Sequence, residues 1–258
     1  MNVVVCVKQI PDPAVPGELT SDHRLKRDGA KAILDESDSY GVEMALQLVD
    51  KAGSGEVILV SMAPNGEVSG LRHALAMGAA RAVLVSDDAL AGADALTTSK
   101  VLAKAVERAG GADLVLAATE SSDGYTGTVP EQMAEILGLP SVTFAKKVAV
   151  EGGALKVDRQ SEAGYDEVTC PLPALISVTA GVVEPRYPSF KGIMAAKSKP
   201  VEEVKASDLG VSPVGWEGAG QKITNVAQAE ARQAGEIIED DGETFGKIVA
   251  YLENLKVI

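Results

Sequence analysis

Short apolar runs alternate with amphipathic stretches as far as about residue 140. The runs are rich in valine, leucine and isoleucine and predict buried strands, whereas the stretches between them space their apolar residues as a helix does. The predicted strands are NVVVCVK, EVILVSMAP, AVLV and ADLVLAAT, and the predicted helices are SDSYGVEMALQLVDKAG, EVSGLRHALAMGAA, DALTTSKVLAKAVERAGG and VPEQMAEILGLP. This alternation predicts an α/β fold with a doubly wound, mostly parallel sheet, whose ligands bind beyond the carboxyl ends of the strands.

The pattern changes after residue 141. Two runs of alternating polarity flank Gly152 and Gly153 and predict a β-hairpin insertion, and LPALISVTAG predicts one more buried strand. From residue 191 the chain is polar and punctuated by glycine and proline, apart from a predicted helix at 244–255. We therefore predict an α/β domain at 1–190 and, at 191–258, an extended C-terminal arm that packs on another protein.

Composition excludes several classes of protein. The net charge of −13 opposes binding to nucleic acid, because phosphates would be repelled. Cys6 and Cys170 form no C-x-x-C pair, and His23 and His73 lack the spacing of metal ligands, so we predict neither a disulfide framework nor a metal site. Without a signal-peptide pattern or an apolar run of about 18 residues, we expect a cytoplasmic protein that does not insert into a membrane.

Reaction motifs are missing from the sequence. We find no phosphate-binding G-x-x-x-x-G-K-[ST] loop, no G-x-G-x-x-G after the first strand, no G-x-S-x-G elbow and no Cys–His pair. We therefore predict no catalytic residue, and we expect a cofactor to supply any chemistry.

The loop ATESSDGYTGTVPEQMAE follows a predicted strand and opens a predicted helix. Gly127 lies between Thr126 and Thr128 just before the helix, where free backbone N–H groups and the helix dipole attract anions. A glycine also lets a phosphate approach the backbone closely. An ordinary helix cap has the same pattern, so both interpretations remain open.

The segment EPRYPSFKGIMAAKSKP carries two aromatic residues in a chain that is only 3% aromatic. Tyr187 and Phe190 belong to no periodic apolar run, and Pro185, Pro188 and Gly192 interrupt the chain around them. This pattern predicts a presented loop that contacts another protein through an apolar anchor with a charged rim.

The chain resembles the β subunits of electron transfer flavoproteins along nearly its whole length. The matching motifs occur in the order of that family: VVVCVKQIPD, ALAMGAARAVLV, SSDGYTGTV and KVDRQSEAGYDEVTCPLPALISVTAGVVEPRYPSFKGIMAAKSK. The last motif has the family's spacing of a basic residue, an acidic and glycine-containing turn, and a strand that starts with Pro-Ala. Those positions are Arg159, Glu162, Gly164, Pro173 and Ala174.

The resemblance implies an electron-carrier subunit rather than an enzyme. It implies an adenine nucleotide α-hydrolase-like fold for the domain at 1–190, a heterodimer with a larger α subunit, a structural AMP in this subunit and an FAD shared with the α subunit. It also implies that acyl-CoA dehydrogenases of fatty acid β-oxidation and other dehydrogenases donate electrons, and that a membrane quinone oxidoreductase accepts them.

The resemblance also assigns site residues. The AMP would be lined by Cys6, Asp35, Glu36, Ser37, Asp38 and Met62, and its phosphate by Asp123, Gly124, Tyr125, Thr126, Gly127, Thr128, Val129 and Pro130. The loop at 10–13 would approach the flavin. Partner dehydrogenases would be recognised by Arg186, Tyr187, Phe190, Ile193 and Met194. Phe190 would be the protruding anchor; its packing against the α subunit is the alternative.

The chain departs from the family's pattern in the phosphate loop. Tyr125, Thr128 and Pro130 stand where many members have an acidic residue, a glutamine and a glycine. Without the glutamine, the backbone of Gly127 and Thr128 would have to hold the phosphate. Two alternatives remain, a bifurcating-type subunit with a second FAD in the nucleotide site and a stand-alone stress-type nucleotide-binding module. An adenylating enzyme of the same fold would need H-I-G-H or S-G-G-x-D-S, and the sequence has neither.

Overall fold

The computed structural model describes residues 1–63, 65–227, 229–230, 235, 237–239, 242 and 244–258. They form two compact units, Met1–Lys222 and Ile223–Ile258. The first unit extends past residue 190, where the sequence analysis divided the chain. The packing of residues 191–258 on a partner stays a prediction.

The bounds of the regular elements follow the chain in order. The strands are β1 (Asn2–Cys6), β2 (Gln9–Pro11), β3 (Ala32–Leu34), β4 (Glu56–Ala63), β5 (Arg81–Ser86), β6 (Leu114–Ala118), β7 (Ser141–Glu151), β8 (Ala154–Ser161), β9 (Gly164–Pro171), β10 (Ala174–Val178) and β11 (Val201–Val204). The helices are α1 (Glu36–Ala52), α2 (Ser69–Met77), α3 (Ala95–Arg108), α4 (Val129–Leu137), α5 (Phe190–Ala196), α6 (Gly215–Gly218) and α7 (Thr244–Asn254).

One large sheet organises the first unit. Within the described residues it has nine strands in the order β11-β5-β4-β1-β6-β10-β7-β8-β9. The strands from β11 to β7 are parallel, and β8 and β9 continue the sheet in antiparallel pairing. Helices α1 and α2 pack on one face and α3 and α4 on the other. The predicted α/β fold with a mostly parallel sheet and a hairpin insertion is confirmed.

The central strand shows why the apolar runs form this sheet. In β1, Val3 and Val5 pack into the core on the α1 face, while Val4 packs into the core on the α3 face. A strand that is covered on both faces cannot alternate in polarity, so it is a continuous apolar run in the sequence. The same pattern recurs in β4, β5, β6 and β10, where nearly every residue is buried.

Helix α1 begins at Glu36, one residue before the predicted stretch SDSYGVEMALQLVDKAG, so neither Ser37 nor Asp38 is its N-cap. Asp35 is the cap, because its carboxylate accepts the backbone N–H of Ser37 and leaves Asp38 inside the first turn. The helix ends, as predicted, at Gly53, which takes the left-handed conformation.

The elements that were not predicted include β9, α5, β11 and α6. The residues from Phe190 to Ala196 form a helix, so the prediction of a loop is wrong for this stretch. Tertiary contacts stabilise α5, because a Cβ at Gly192 would overlap the carbonyl oxygen of Ala76 in α2. Arg72 and Lys199 further join the two helices through backbone carbonyls.

In the described part of the chain, no helix combines the length and the hydropathy needed to cross a bilayer.

Candidate functional site

The candidate site lies at the carboxyl ends of the central strands. β1 has β4 on one side and β6 on the other, so the chain leaves neighbouring strands in opposite directions between β1 and β6. Such a switch point opens a crevice above the sheet where ligands bind in doubly wound folds. The segment after β1 leads to α1, and the segment after β6 leads to α4.

Asp35 joins the two sides of this crevice. Its carboxylate accepts hydrogen bonds from the backbone N–H of Ser122 at 2.7 Å and from the Ser122 hydroxyl at 3.0 Å, in addition to the N–H of Ser37 at 3.1 Å. The residue is 0% exposed. The loop after β6 is therefore fixed to the start of α1 by a fully buried carboxylate.

Asp38 and Cys6 form the floor of the crevice. The Asp38 carboxylate accepts the backbone N–H of Lys8 at 2.6 Å, and burial, together with the nearby charge of Asp35, raises its pKa well above the ordinary value. Burial and the charge of Asp38 raise the pKa of the Cys6 thiol to about 12. The thiol lies 3.8 Å from the sulfur of Met133 and is protonated at neutral pH, so it offers the site a small apolar surface rather than a nucleophile.

Asp123 lies between two cations that the sequence analysis missed. Lys8 Nζ is 2.6 Å from its carboxylate, and the guanidinium of Arg27 contacts the other oxygen. Burial raises the pKa of Asp123, but the charges and hydrogen bonds of Lys8 and Arg27 outweigh it and leave the pKa below the ordinary value. Asp123 therefore joins β1, the long loop before β3 and the loop after β6.

The start of α4 has the geometry of an anion site. The part of the chain that the structure describes offers no hydrogen-bond acceptor to the backbone N–H groups of Thr126, Gly127 and Thr128, and no side chain caps the helix. Gly127 has a φ of 64°, a conformation that favours glycine. Free N–H groups at the start of a helix fit a phosphate, so the residues present suit a phosphate-bearing nucleotide.

The remaining predicted nucleotide residues lie at the same edge of the sheet. Met62, near the end of β4, packs partly buried into the same core cluster as Cys6. Glu36 is exposed at the start of α1, Tyr125 is exposed in the loop, and Pro130 is buried in the first turn of α4. In the loop expected to approach the flavin, Ile10 is buried, so Asp12 and Pro13 provide its accessible surface.

The second predicted surface surrounds α5. Tyr187 is 94% exposed and Phe190 80% exposed, and Ile193 and Met194 are about half exposed. Ser189 caps the helix by accepting the backbone N–H of Gly192 at 3.0 Å. Arg186 forms an ion pair with Glu43 of α1. The apolar side chains are exposed on and just before α5, and their contact with a partner, like that of Arg186, stays a prediction.

A cavity of about 430 Å³ accompanies this surface. It lies between α2 and the segment from Tyr187 to Lys197, and its lining includes Arg72 and His73. This cavity is separate from the crevice above β1 and β6, where Lys8 and Arg27 form ion pairs with Asp123.

Comparisons with known proteins identify similar chains. The family described as "Electron transfer flavoprotein domain" matches residues 23–209. The chain is 40% identical over 264 residues to "Electron transfer flavoprotein subunit beta" of Mycobacterium tuberculosis (strain ATCC 25618 / H37Rv), covering 100% of this chain and 99% of the relative. It is 38% identical over 265 residues to the protein of the same name from Thermoanaerobacterium thermosaccharolyticum, covering 100% of both chains.

A third relative has a different name. The "Caffeyl-CoA reductase-Etf complex subunit CarD" of Acetobacterium woodii is 34% identical over 265 residues, which cover 100% of both chains.

Proposed function

We infer the function of this chain from its membership of the electron transfer flavoprotein family, whose β subunits it matches from end to end. It is a β subunit that takes part in electron transfer. We propose that its heterodimer accepts electrons from dehydrogenases, acyl-CoA dehydrogenases among them, and delivers them to a membrane quinone oxidoreductase. The full-length match to the named β subunits is the observation that carries this proposal.

The crevice above β1 and β6 is the proposed site of a structural AMP. The free N–H groups of Thr126, Gly127 and Thr128 would hold the phosphate, and Cys6, Met62 and the start of α1 would line the rest of the site. Asp35 and Asp123 would not bind the nucleotide directly, because their carboxylates already bind Ser122, Lys8 and Arg27. They would keep the loop in place for the nucleotide.

The redox centre belongs to FAD, which we propose is held mainly by an α subunit. Bound FAD would supply the one- and two-electron chemistry that no side chain of this subunit offers. Here the exposed part of the loop at 10–13 would form the wall beside it. Helix α7 carries exposed Phe245, Ile248 and Tyr251, an apolar surface that supports packing of the C-terminal unit on the α subunit.

A bifurcating-type subunit, with a second FAD in place of AMP, is the second candidate. The name of the relative from Acetobacterium woodii places that protein in a reductase complex, and this is the observation that favours the candidate. The same free N–H groups would suit the phosphates of either nucleotide.

Co-expression with an electron transfer flavoprotein α subunit tests the function and separates the two candidates. We expect a yellow heterodimer that, after acid release and chromatography, yields one FAD and one AMP, and that is reduced by an acyl-CoA dehydrogenase with its substrate. Two FAD and no AMP would identify the bifurcating type. A stable, flavin-loaded monomer of this chain alone would contradict the β-subunit proposal.

The exposed surface on α5 is the proposed contact for dehydrogenases. Replacing Phe190 by alanine should raise the KM of the dehydrogenase for the heterodimer by tenfold or more, because truncating a hot-spot anchor costs about 2 kcal/mol, roughly a factor of 30 in affinity. Flavin content and Tm should stay near wild type, because the side chain is 80% exposed.

Leu96→Ala is the matched control, since Leu96 is also an exposed apolar residue but lies on α3. An unchanged KM in the Phe190 variant with every dehydrogenase tested would exclude the contact. Loss of flavin would instead place Phe190 at the interface with the α subunit.

A further inference from the structure

Helix α1 buries a carboxylate that the nucleotide site does not use. Glu43 is only 3% exposed, although Gln47 and Asp50, farther along the same side of α1, are exposed. An isolated charge in such a position is strongly unfavourable unless it is paired and fully hydrogen-bonded. Its partners therefore indicate what the chain gains from keeping a carboxylate here.

Arg186 satisfies most of the hydrogen-bonding capacity of Glu43. Its Nε donates to Oε2 at 2.6 Å, its Nη2 donates to Oε1 at 3.1 Å, and its backbone N–H contacts Oε2 at 3.3 Å. Gln47, one turn along α1, donates to Oε1 at 2.8 Å. The forked guanidinium and the backbone N–H together fix the main chain at residue 186, not only its side chain.

Charge on Glu43 is maintained at neutral pH. Burial raises the pKa of this carboxyl, but the hydrogen bonds and charge of Arg186 and the bond from Gln47 outweigh burial and leave the pKa below its ordinary value. Asp50, whose carboxylate lies 3.6 Å from Arg186 Nη2, adds a second negative charge on α1. The guanidinium is thus held against α1 from two sides.

The ion pair is one of two anchors of the segment at 186–197. At the other end, α5 packs on α2 through Gly192, and Arg72 and Lys199 donate to backbone carbonyls there. Between the two anchors the chain presents Tyr187 and Phe190 to solvent. The first anchor therefore fixes the main chain immediately before the exposed tip.

We propose that Glu43 and Arg186 are positioning residues for docking, which hold the exposed tip in the orientation that a partner protein binds. The proposal rests on the proposed function, in which this tip contacts dehydrogenases. A tip that is ordered before binding avoids the entropy cost of ordering it in the complex. Arg186 thus acts through Tyr187 and Phe190 and does not itself serve as a contact for the partner.

Glu43→Gln and Arg186→Lys test the proposal in the heterodimer. The first removes the buried charge at constant size, and the second keeps the charge but removes the fork. Trypsin can cleave after Arg186 only when that side chain leaves Glu43, so we expect Glu43→Gln to accelerate this cleavage about tenfold or more. We expect the KM of an acyl-CoA dehydrogenase for the heterodimer to rise about three- to tenfold with kcat unchanged, and Arg186→Lys to have a smaller effect.

Glu56→Gln is the matched control. Glu56 pairs with Arg81 at 3.2 Å between the starts of β4 and β5 and makes no hydrogen bond or ion pair with the segment at 186–197, so this variant should lower Tm without changing the KM. An effect on the KM in Glu56→Gln, or a loss of flavin in Glu43→Gln, would mean that stability alone explains the result and would overturn the proposal.

Two further outcomes separate this proposal from the proposed function. If cleavage or the KM is unchanged in Glu43→Gln while Phe190→Ala raises the KM, docking is real but the ion pair does not position the tip. If Phe190→Ala also leaves the KM unchanged, the docking function fails, and the positioning role fails with it.

Discussion

Asp35 and Asp38 lie three residues apart at the start of α1 but occupy different electrostatic environments. Asp35 receives three hydrogen bonds from Ser37 and Ser122, whereas Asp38 receives one from the backbone of Lys8. Burial and the charge of Asp35 therefore raise the pKa of Asp38. At the scale of single residues, one carboxylate fixes the loop and its neighbour makes the fold sensitive to pH.

Replacing Asp38 by asparagine should stabilise the protein more at pH 8 than at pH 5. A carboxyl whose folded-state pKa lies above its ordinary 3.8 destabilises the fold as pH rises from 3.8 through the raised value. Each unit of that shift corresponds to about 1.4 kcal/mol. Asparagine keeps an oxygen for the N–H of Lys8 and never ionises, so the difference in Tm should grow with pH in a thermal denaturation series.

Asp94→Asn serves as the control, because it should lower the stability of the fold where Asp38→Asn raises it. Burial raises the pKa of Asp94, but the N–H groups of Thr97 and Gly220 outweigh it and lower the pKa overall, so its charge stabilises the fold above pH 3.8. A Tm difference for the Asp38 variant that stays flat or falls between pH 5 and pH 8 would contradict the assignment.

Some decisive residues could not be found in the sequence. Lys8 meets Asp123 across 115 positions, and Glu43 meets Arg186 across 143. A single sequence carries no signal for such pairs, because their spacing depends on how the whole sheet is wound. One feature of the sequence could have identified Lys8 as a site residue. It lies directly after the first buried strand, where chains of this fold bring functional side chains together.

At the scale of elements, the loop before α4 places a glycine in the left-handed conformation at the proposed phosphate site. Gly127 has a φ of 64°, and a Cβ there would lie 3.4 Å from a carboxylate oxygen of Glu120. Gly138 ends the same helix with a φ of 65° and nothing within 4 Å of its Cβ position. The two glycines share their backbone conformation and differ in what surrounds them.

Gly127→Glu should lower the nucleotide content of the heterodimer well below one per molecule. A carboxylate would occupy the anion site and repel phosphate, and the left-handed backbone would add about 1–2 kcal/mol of strain. Nucleotide released by acid and measured by chromatography checks this. Gly138→Glu carries the same strain at the other end of α4 and should keep its nucleotide; full occupancy in the Gly127 variant would show that the loop is only a helix cap.

Elements differ in how well the sequence predicts them, because some are stabilised by burial that shows in their own sequence and others by contacts with distant residues. β1 and β4 are continuous apolar runs, because both their faces are buried, and they were predicted. β9 is mostly exposed and α5 depends on packing against α2, so neither has a pattern of its own. Where contacts with distant residues supply the stability, local periodicity is too weak to detect.

At the scale of the whole molecule, the crevice above β1 and β6 and the exposed tip of α5 lie on the same α/β scaffold but are held in place by different interactions. The crevice proposed for the nucleotide is built from the ends of central strands and buried carboxylates, whereas the exposed tip of α5 depends on ion pairs and backbone contacts with α1 and α2. We therefore expect substitutions at the tip to leave the crevice undisturbed. This separation makes the Phe190 and Gly127 variants independent tests.

The central place of β1 also bears on how the chain folds as it is synthesised. This strand is synthesised before both of its neighbours, β4 at Glu56–Ala63 and β6 at Leu114–Ala118. At about 5–20 residues per second, a ribosome needs on the order of ten seconds to complete the second neighbour. Until β6 has emerged, a strand of consecutive valines lacks at least one of its two neighbours, so we expect nascent chains of this protein to be most prone to aggregation in this interval.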